Sequence, residues 1–137
     1  MKKIGFIGQG WVGKSYADDF ENRGFGVIRY SMEEPYVANK NKIKDCDIVF
    51  IAVPTPTTLS GFDDSIVRSV AKLVGAGKIA VIKSTILPGT TDSVQEENPE
   101  ILVMHSPEFL DEVSAAHDAA HPKRNIIGIP KESEKYK

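Results

Sequence analysis

The sequence predicts an α/β fold of the Rossmann type: a single domain on a doubly wound parallel sheet. Three observations predict it. A glycine turn, Gly8-x-Gly10-x-x-Gly13, follows an apolar run at the start of the chain and opens a helix. Apolar runs rich in Val and Ile then alternate with helix-like segments. Most of those runs show no in/out alternation, as befits strands covered on both faces.

The first strand is Lys3–Ile7, and the helix after it runs from about Trp11 to Asn22, stopping before Gly24. Gly8 permits the tight turn, Gly10 lets a pyrophosphate approach bare backbone, and Gly13 lets helix pack close on strand. The helix start offers unpaired N–H groups and a positive dipole end to the phosphates. The second strand, Gly26–Tyr30, ends at Ser31, where an NAD-binding domain normally offers an acid to the adenosine ribose. Arg29 beside it would favour a 2′-phosphate, so NADP stays open beside NAD. Further strands are expected over 48–53, 79–83, 101–105 and 125–129, with helices over 63–74 and 91–97. Asp63 and Asp64 suit the first turn of the former. Residues 1–130 form the dinucleotide-binding domain. The charged stretch 131–137 loses the apolar pattern, and a truncation point is expected there.

A formal net charge of −2 gives no basic field for nucleic acid or an anionic membrane. No apolar run is long enough to span a bilayer, and the first ten residues lack the pattern of a signal peptide. One cysteine, Cys46, rules out an internal disulfide and fits a cytoplasmic protein. It stands in Lys-Asp-Cys-Asp, where two acids oppose thiolate formation, so a packing role is expected. His105, His117 and His121 lack metal-ligand spacing, and no metal site is expected.

Three strand ends carry polar groups on rigid turns. They are Val53-Pro54-Thr55-Pro56-Thr57-Thr58, Lys83-Ser84-Thr85-Ile86-Leu87-Pro88-Gly89, and His105-Ser106-Pro107-Glu108-Phe109-Leu110-Asp111-Glu112. In a parallel sheet such ends converge on one crevice. Taken alone, Glu108 also reads as a carboxylate at a helix start, stabilised by the dipole.

Together with Pro-Lys-Arg-Asn-Ile-Ile-Gly at 122–128, these segments resemble the N-terminal domain of the UDP-glucose/GDP-mannose dehydrogenase family over nearly the whole chain. The resemblance implies oxidation of a nucleotide-sugar C6 alcohol to the acid, in two NAD-dependent steps through a cysteine-bound thioester. It implies that Gly8, Gln9, Gly10, Trp11, Val12 and Gly13 hold the pyrophosphate. Val53, Pro54, Thr55, Pro56 and Thr57 would line the adenosine and ribose side, with Ser31 at the end of strand two. Ser84 and Thr85 would meet the nicotinamide, and Thr85 would help hold the hydroxyl or the attacking water. Glu108 would be the acid–base glutamate and Glu112 a second one, near nicotinamide and sugar.

Departures are visible too. Only the 16 positions 32–47 separate strand two from the next run, so one helix or strand is expected to be shortened. Trp11 stands where the family usually has tyrosine, and Val113 where it usually has glycine. The family's catalytic cysteine and lysine lie in a sugar-binding half, so this chain is expected to bind cofactor without full turnover. The missing half, or a second copy of the chain, would be its partner, and UDP-glucose its substrate. Alternatives are a stand-alone dinucleotide-binding regulatory module, another Rossmann hydroxyacid or 6-phosphogluconate-type dehydrogenase, and a methyltransferase.

Overall fold

The computed structural model describes residues 1–137. In chain order its elements are β1 (Lys3–Ile7), α1 (Trp11–Asn22), β2 (Gly26–Tyr30), a 3-10 helix (Tyr36–Asp45), β3 (Ile48–Ile51), β4 (Thr57–Thr58), β5 (Gly61–Phe62), α2 (Ser65–Ala71), β6 (Ile79–Ile82), α3 (Thr90–Glu97), β7 (Leu102–His105), α4 (Ala115–Ala120) and a 3-10 turn (Glu134–Tyr136). Five strands form one all-parallel sheet in the order β2-β1-β3-β6-β7. The order reverses between β1 and β3, which is where ligands bind in such sheets.

Both faces of the sheet are covered, which is why its strands are apolar throughout. On one face Ile4 and Phe6 pack with Ala17 of α1, and Phe20, Phe25 and Phe50 close around them. Phe6 stacks on Phe50 with centroids 5.0 Å apart. On the other face Val49, Ile51, Ala80, Ile82 and Val103 meet Val67 and Ala71 of α2, Val94 of α3 and Ile43 of the 3-10 helix. Cys46 is fully buried in this layer, and burial, then Asp45 and Asp47, pushes its thiol up. It is a packing residue.

The stretch 32–47 is where the sheet departs from a full dinucleotide-binding domain, in which a further strand lies beyond the second. Here the chain turns back as a 3-10 helix straight to β3, leaving β2 at the sheet edge. The Asn39 amide bonds the Arg29 carbonyl on that edge at 2.9 Å.

Three expected elements are corrected. The run 125–129 makes no sheet strand, only an isolated antiparallel bridge between Gly128 and His105. Ile126, Ile127 and Ile129 stay exposed, so no burial drives a longer pairing. The helix expected over 63–74 is shorter, because Asp63 accepts the Ser65 amide at 2.9 Å and holds the residues before it in a turn. No helix starts at Glu108; α4 begins only at Ala115. The residues from 131 are also tied down, since the Tyr136 hydroxyl lies between Gln95 Oε1 and the Val103 carbonyl.

Candidate functional site

A crevice of about 1190 Å3 opens along the carboxyl ends of β1, β2, β3 and β6. That exceeds the roughly 300–1,000 Å3 of ordinary small-molecule pockets, as an extended ligand would require. Its wall is built from the turn 8–12, the β2 end 30–34, the β3 end 53–55, the β6 end 83–85, Glu108 and Leu110, with Ile66, Ser69, Val70 and Leu73 from the α2 side.

The three turn glycines are present for different reasons. Gly8 has φ +94°, and a Cβ there would lie 2.1 Å from the Ala52 carbonyl oxygen. At Gly13 a Cβ would lie 2.0 Å from the Gly8 carbonyl oxygen. The protein's own packing forbids side chains at both. At Gly10 a Cβ would meet nothing within 4 Å, and its φ of −67° suits any residue. Nothing in the fold fills the space beside Gly10, which faces the crevice. It caps α1 with no side-chain bond, and no acid stands in the first turn. The first N–H groups of a 12-residue helix are left for an anion.

Gly8, Gln9, Gly10, Trp11, Val12, Ser31, Val53, Pro54, Thr55, Ser84, Thr85 and Glu108 all line the crevice. Gly13 supports the turn from beneath. Pro56 and Thr57 lie outside the lining, and Thr57 pairs with Phe62 in the β4–β5 hairpin. Glu112 is exposed and outside it too.

Several hydroxyls are engaged with the protein itself. Ser84 Oγ accepts the Val53 amide at 2.9 Å and donates to the Val53 carbonyl at 2.7 Å, fastening the β3 turn onto β6. Thr55 donates to the Thr85 carbonyl at 2.7 Å. Thr85 keeps an exposed side chain at the crevice. Arg29 is not free for a 2′-phosphate. Its guanidinium donates to Asp18 at 2.7 Å, to both Glu21 oxygens at 2.8 and 3.1 Å, and to Gln9 at 3.1 Å. Two carboxylates already neutralise it.

Glu108 is held from several sides. Its Oε1 accepts the amides of Phe109 and Leu110 at 2.7 and 2.8 Å and the Tyr16 hydroxyl at 3.3 Å. Its Oε2 lies 3.3 Å from Lys83 Nζ, and the lysine is buried while Glu108 is half-buried. Lys83 also donates to the Ser106 carbonyl and hydroxyl, each at 3.3 Å, and sits over the Tyr16 ring at 4.7 Å. Burial, reinforced by the Glu108 charge, pushes the Tyr16 phenol up, so it stays a donor. Burial pushes the His105 imidazole down, and its Nε2 is buried without a partner. The site residues Lys83 and Tyr16 are new relative to the sequence-based expectations. A lysine closing an apolar strand was a signal for the first, because a buried lysine must be paired. Nothing local marked Tyr16, which meets Glu108 across 92 positions of sequence.

The NAD binding domain of the UDP-glucose/GDP-mannose dehydrogenase family matches residues 36–137. The UDP-glucose 6-dehydrogenase TuaD of Bacillus subtilis (strain 168) is 30% identical over 172 residues, which take in 93% of this chain and 37% of that protein. The structure of a UDP-glucose dehydrogenase from Pyrobaculum islandicum superposes with a TM-score of 0.81 at 26% identity, covering 96% of this chain and 41% of the other. A GDP-mannose dehydrogenase from Pseudomonas aeruginosa shares the fold with a TM-score of 0.79 at 23% identity, covering 94% and 41%. The chain spans less than two fifths of the length of the curated relatives it matches.

Proposed function

The chain belongs to the UDP-glucose/GDP-mannose dehydrogenase family, and from that premise we propose that it is the cofactor-binding part of an enzyme oxidising UDP-glucose to UDP-glucuronate. Gly10 carries the cofactor reading, because neither backbone strain nor packing accounts for its missing side chain. The pyrophosphate would lie over Gly8, Gln9 and Gly10 against the start of α1. Ser31 and Met32 would flank the adenosine side, and Val53 to Thr55 the middle. With Arg29 already neutralised, NAD rather than NADP is the cofactor.

Bound NAD supplies the hydride acceptor for oxidation at the sugar C6. The chain's own residues orient and exchange protons. Thr85 offers a hydroxyl that both donates and accepts, suited to holding the substrate alcohol or a water. Glu108, anchored and partly enclosed, takes the proton from that oxygen. Glu112 carries no step in this reading, because it stands outside the crevice. The thioester chemistry implied for the family needs a thiolate that these residues do not provide. Their only thiol, Cys46, is sealed in the core. The 137 residues should therefore bind cofactor without turning over UDP-glucose.

The test is calorimetry of NAD with the wild type and Gly10→Val. Binding should fall by at least about tenfold in the variant, as a β-branched side chain occupies the pyrophosphate position. Equal affinity for both proteins would sink the assignment.

A further inference from the structure

Glu108 presents two unequal oxygens. Oε1 is saturated by three donors, the Phe109 and Leu110 amides and the Tyr16 hydroxyl. Oε2 is buried and accepts no hydrogen bond. The only cation beside it is Lys83, at 3.3 Å. A pair that served the fold alone would be expected to satisfy both oxygens, since buried polar atoms almost always find partners. Here Oε2 meets only the Lys83 charge, and both members of the pair line the crevice.

We propose that Lys83 and Tyr16 are positioning residues for Glu108, acting from β6 and α1 to fix the aim of its carboxylate. The inference rests on the reading of Glu108 as the base. In the transfer the O–H bond of the held water or alcohol breaks and its electron pair stays on that oxygen. The proton forms a new O–H bond on the Glu108 carboxylate. Lys83 holds the Oε2 side by charge from β6. Tyr16 holds the Oε1 side from α1, because its protonated hydroxyl can only donate to a carboxylate. The other groups facing this cluster do not take over either role. Burial pushes the His105 imidazole on β7 down, and the Asp118 charge on α4 and the Asp19 charge on α1 act toward Tyr16. Lys83 is itself oriented by the Ser106 carbonyl and hydroxyl, so its ammonium has a fixed direction.

Amide hydrogen exchange on the 137-residue chain tests this, with the Phe109 and Leu110 amides as reporters of the carboxylate's aim. Exchange is read relative to the strand amides of β1 and β3, which follow global opening. In Lys83→Met both reporters should exchange at least about tenfold faster on that relative scale. Lys83→Arg should restore most of the protection, and Tyr16→Phe should lose a smaller part of it. In a Glu108→Gln background Lys83→Met should add nothing further. If Lys83→Met alone fails to fold while the double variant folds, the dependence of Lys83 on Glu108 is shown by that difference, since removing both charges together is tolerated where removing one is not. Unchanged relative exchange in Lys83→Met, or an equal change in the Glu108→Gln background, overturns the proposal. Calorimetry with NAD on the same samples separates the two readings. A wild type that binds no NAD defeats the cofactor assignment, whereas the exchange pattern alone decides the positioning roles.

Discussion

The two ends of the parallel sheet are made from the same five strands and treated in opposite ways. At the amino end Asp47 accepts the Lys3 amide and the Lys78 ammonium, each at 2.8 Å, tying the starts of β1 and β6 to the start of β3. Those bonds, the one from Lys78 first, hold its carboxyl down at about 2. Every group in that cluster has a partner. At the carboxyl end the start of α1 is uncapped, Glu108 Oε2 and His105 Nε2 are buried without hydrogen bonds, and Gly10 leaves open space. The contrast is between an end whose polar cluster is fully paired and an end that leaves polar atoms without hydrogen bonds. Incomplete pairing at the crevice end agrees with the binding site proposed there.

Substitutions can break that comparison, and the largest effect lies within the glycine turn. Gly13→Ala drives a methyl group into the Gly8 carbonyl and should destabilise the fold by about 3 kcal/mol. Gly10→Ala meets nothing and should cost about 1 kcal/mol or less, the loss expected at a helix cap. Urea denaturation of the two variants measures the difference. Similar midpoints would mean that the turn is not divided between packing and ligand.

A smaller effect is expected at the end of β2. Ser31→Asp places a negative charge beside the adenosine ribose and should weaken NADP relative to NAD by roughly tenfold. Paired calorimetric titrations give the ratio. A ratio unchanged by the substitution would place the ribose elsewhere along the crevice.

The smallest effect belongs to the amino end. A carboxyl held at about 2 in the fold, against about 3.9 in the unfolded chain, adds stability that is present above the unfolded value and lost as pH falls toward 2. Asp47→Asn should therefore lower the urea midpoint slightly at pH 7, and its gap to the wild type should close between about pH 4 and 2. NAD affinity should be unaffected. A gap that persists at pH 2 would show that Asp47 acts by packing rather than by charge.

How much of this was legible in the sequence depended on the distance over which each feature is decided. β1, α1 and β2 were readable to the residue, because a glycine turn and continuous apolar runs are local signals. The crevice was readable as three polar strand ends, since parallel strands must finish on one side. The antiparallel bridge at Gly128 was not, because apolar character at 126–129 cannot by itself say whether a neighbour will cover it. The protein partners of the hydroxyls are hidden in the sequence for the same reason. Ser84 and Thr55 look like ligand contacts in sequence, yet each finds a backbone partner 30 or 31 positions away. Arg29 looked like a phosphate ligand until Asp18 and Glu21, two turns of α1, were seen to enclose it. Side chains that answer one another across elements leave little trace along the chain.

The sheet order has a kinetic meaning as well. Three of its four pairings join strands that follow one another in the sheet's chain order, with Lys3 against Gly26, Ile48 against Ile79, and Ile79 against Leu102. Only the seam between β1 and β3 skips a strand, bringing Ile4 to Ile48 across the longest loop in the sheet. Loop closure of that kind is the slow part of assembling parallel structure. The ends of the same seam line the crevice, so a ligand seated there would bear on the contact with the longest closure in the sheet. Occupancy then works as a latch on the folded state by mass action, slowing escape at the one joint that local structure alone does not secure.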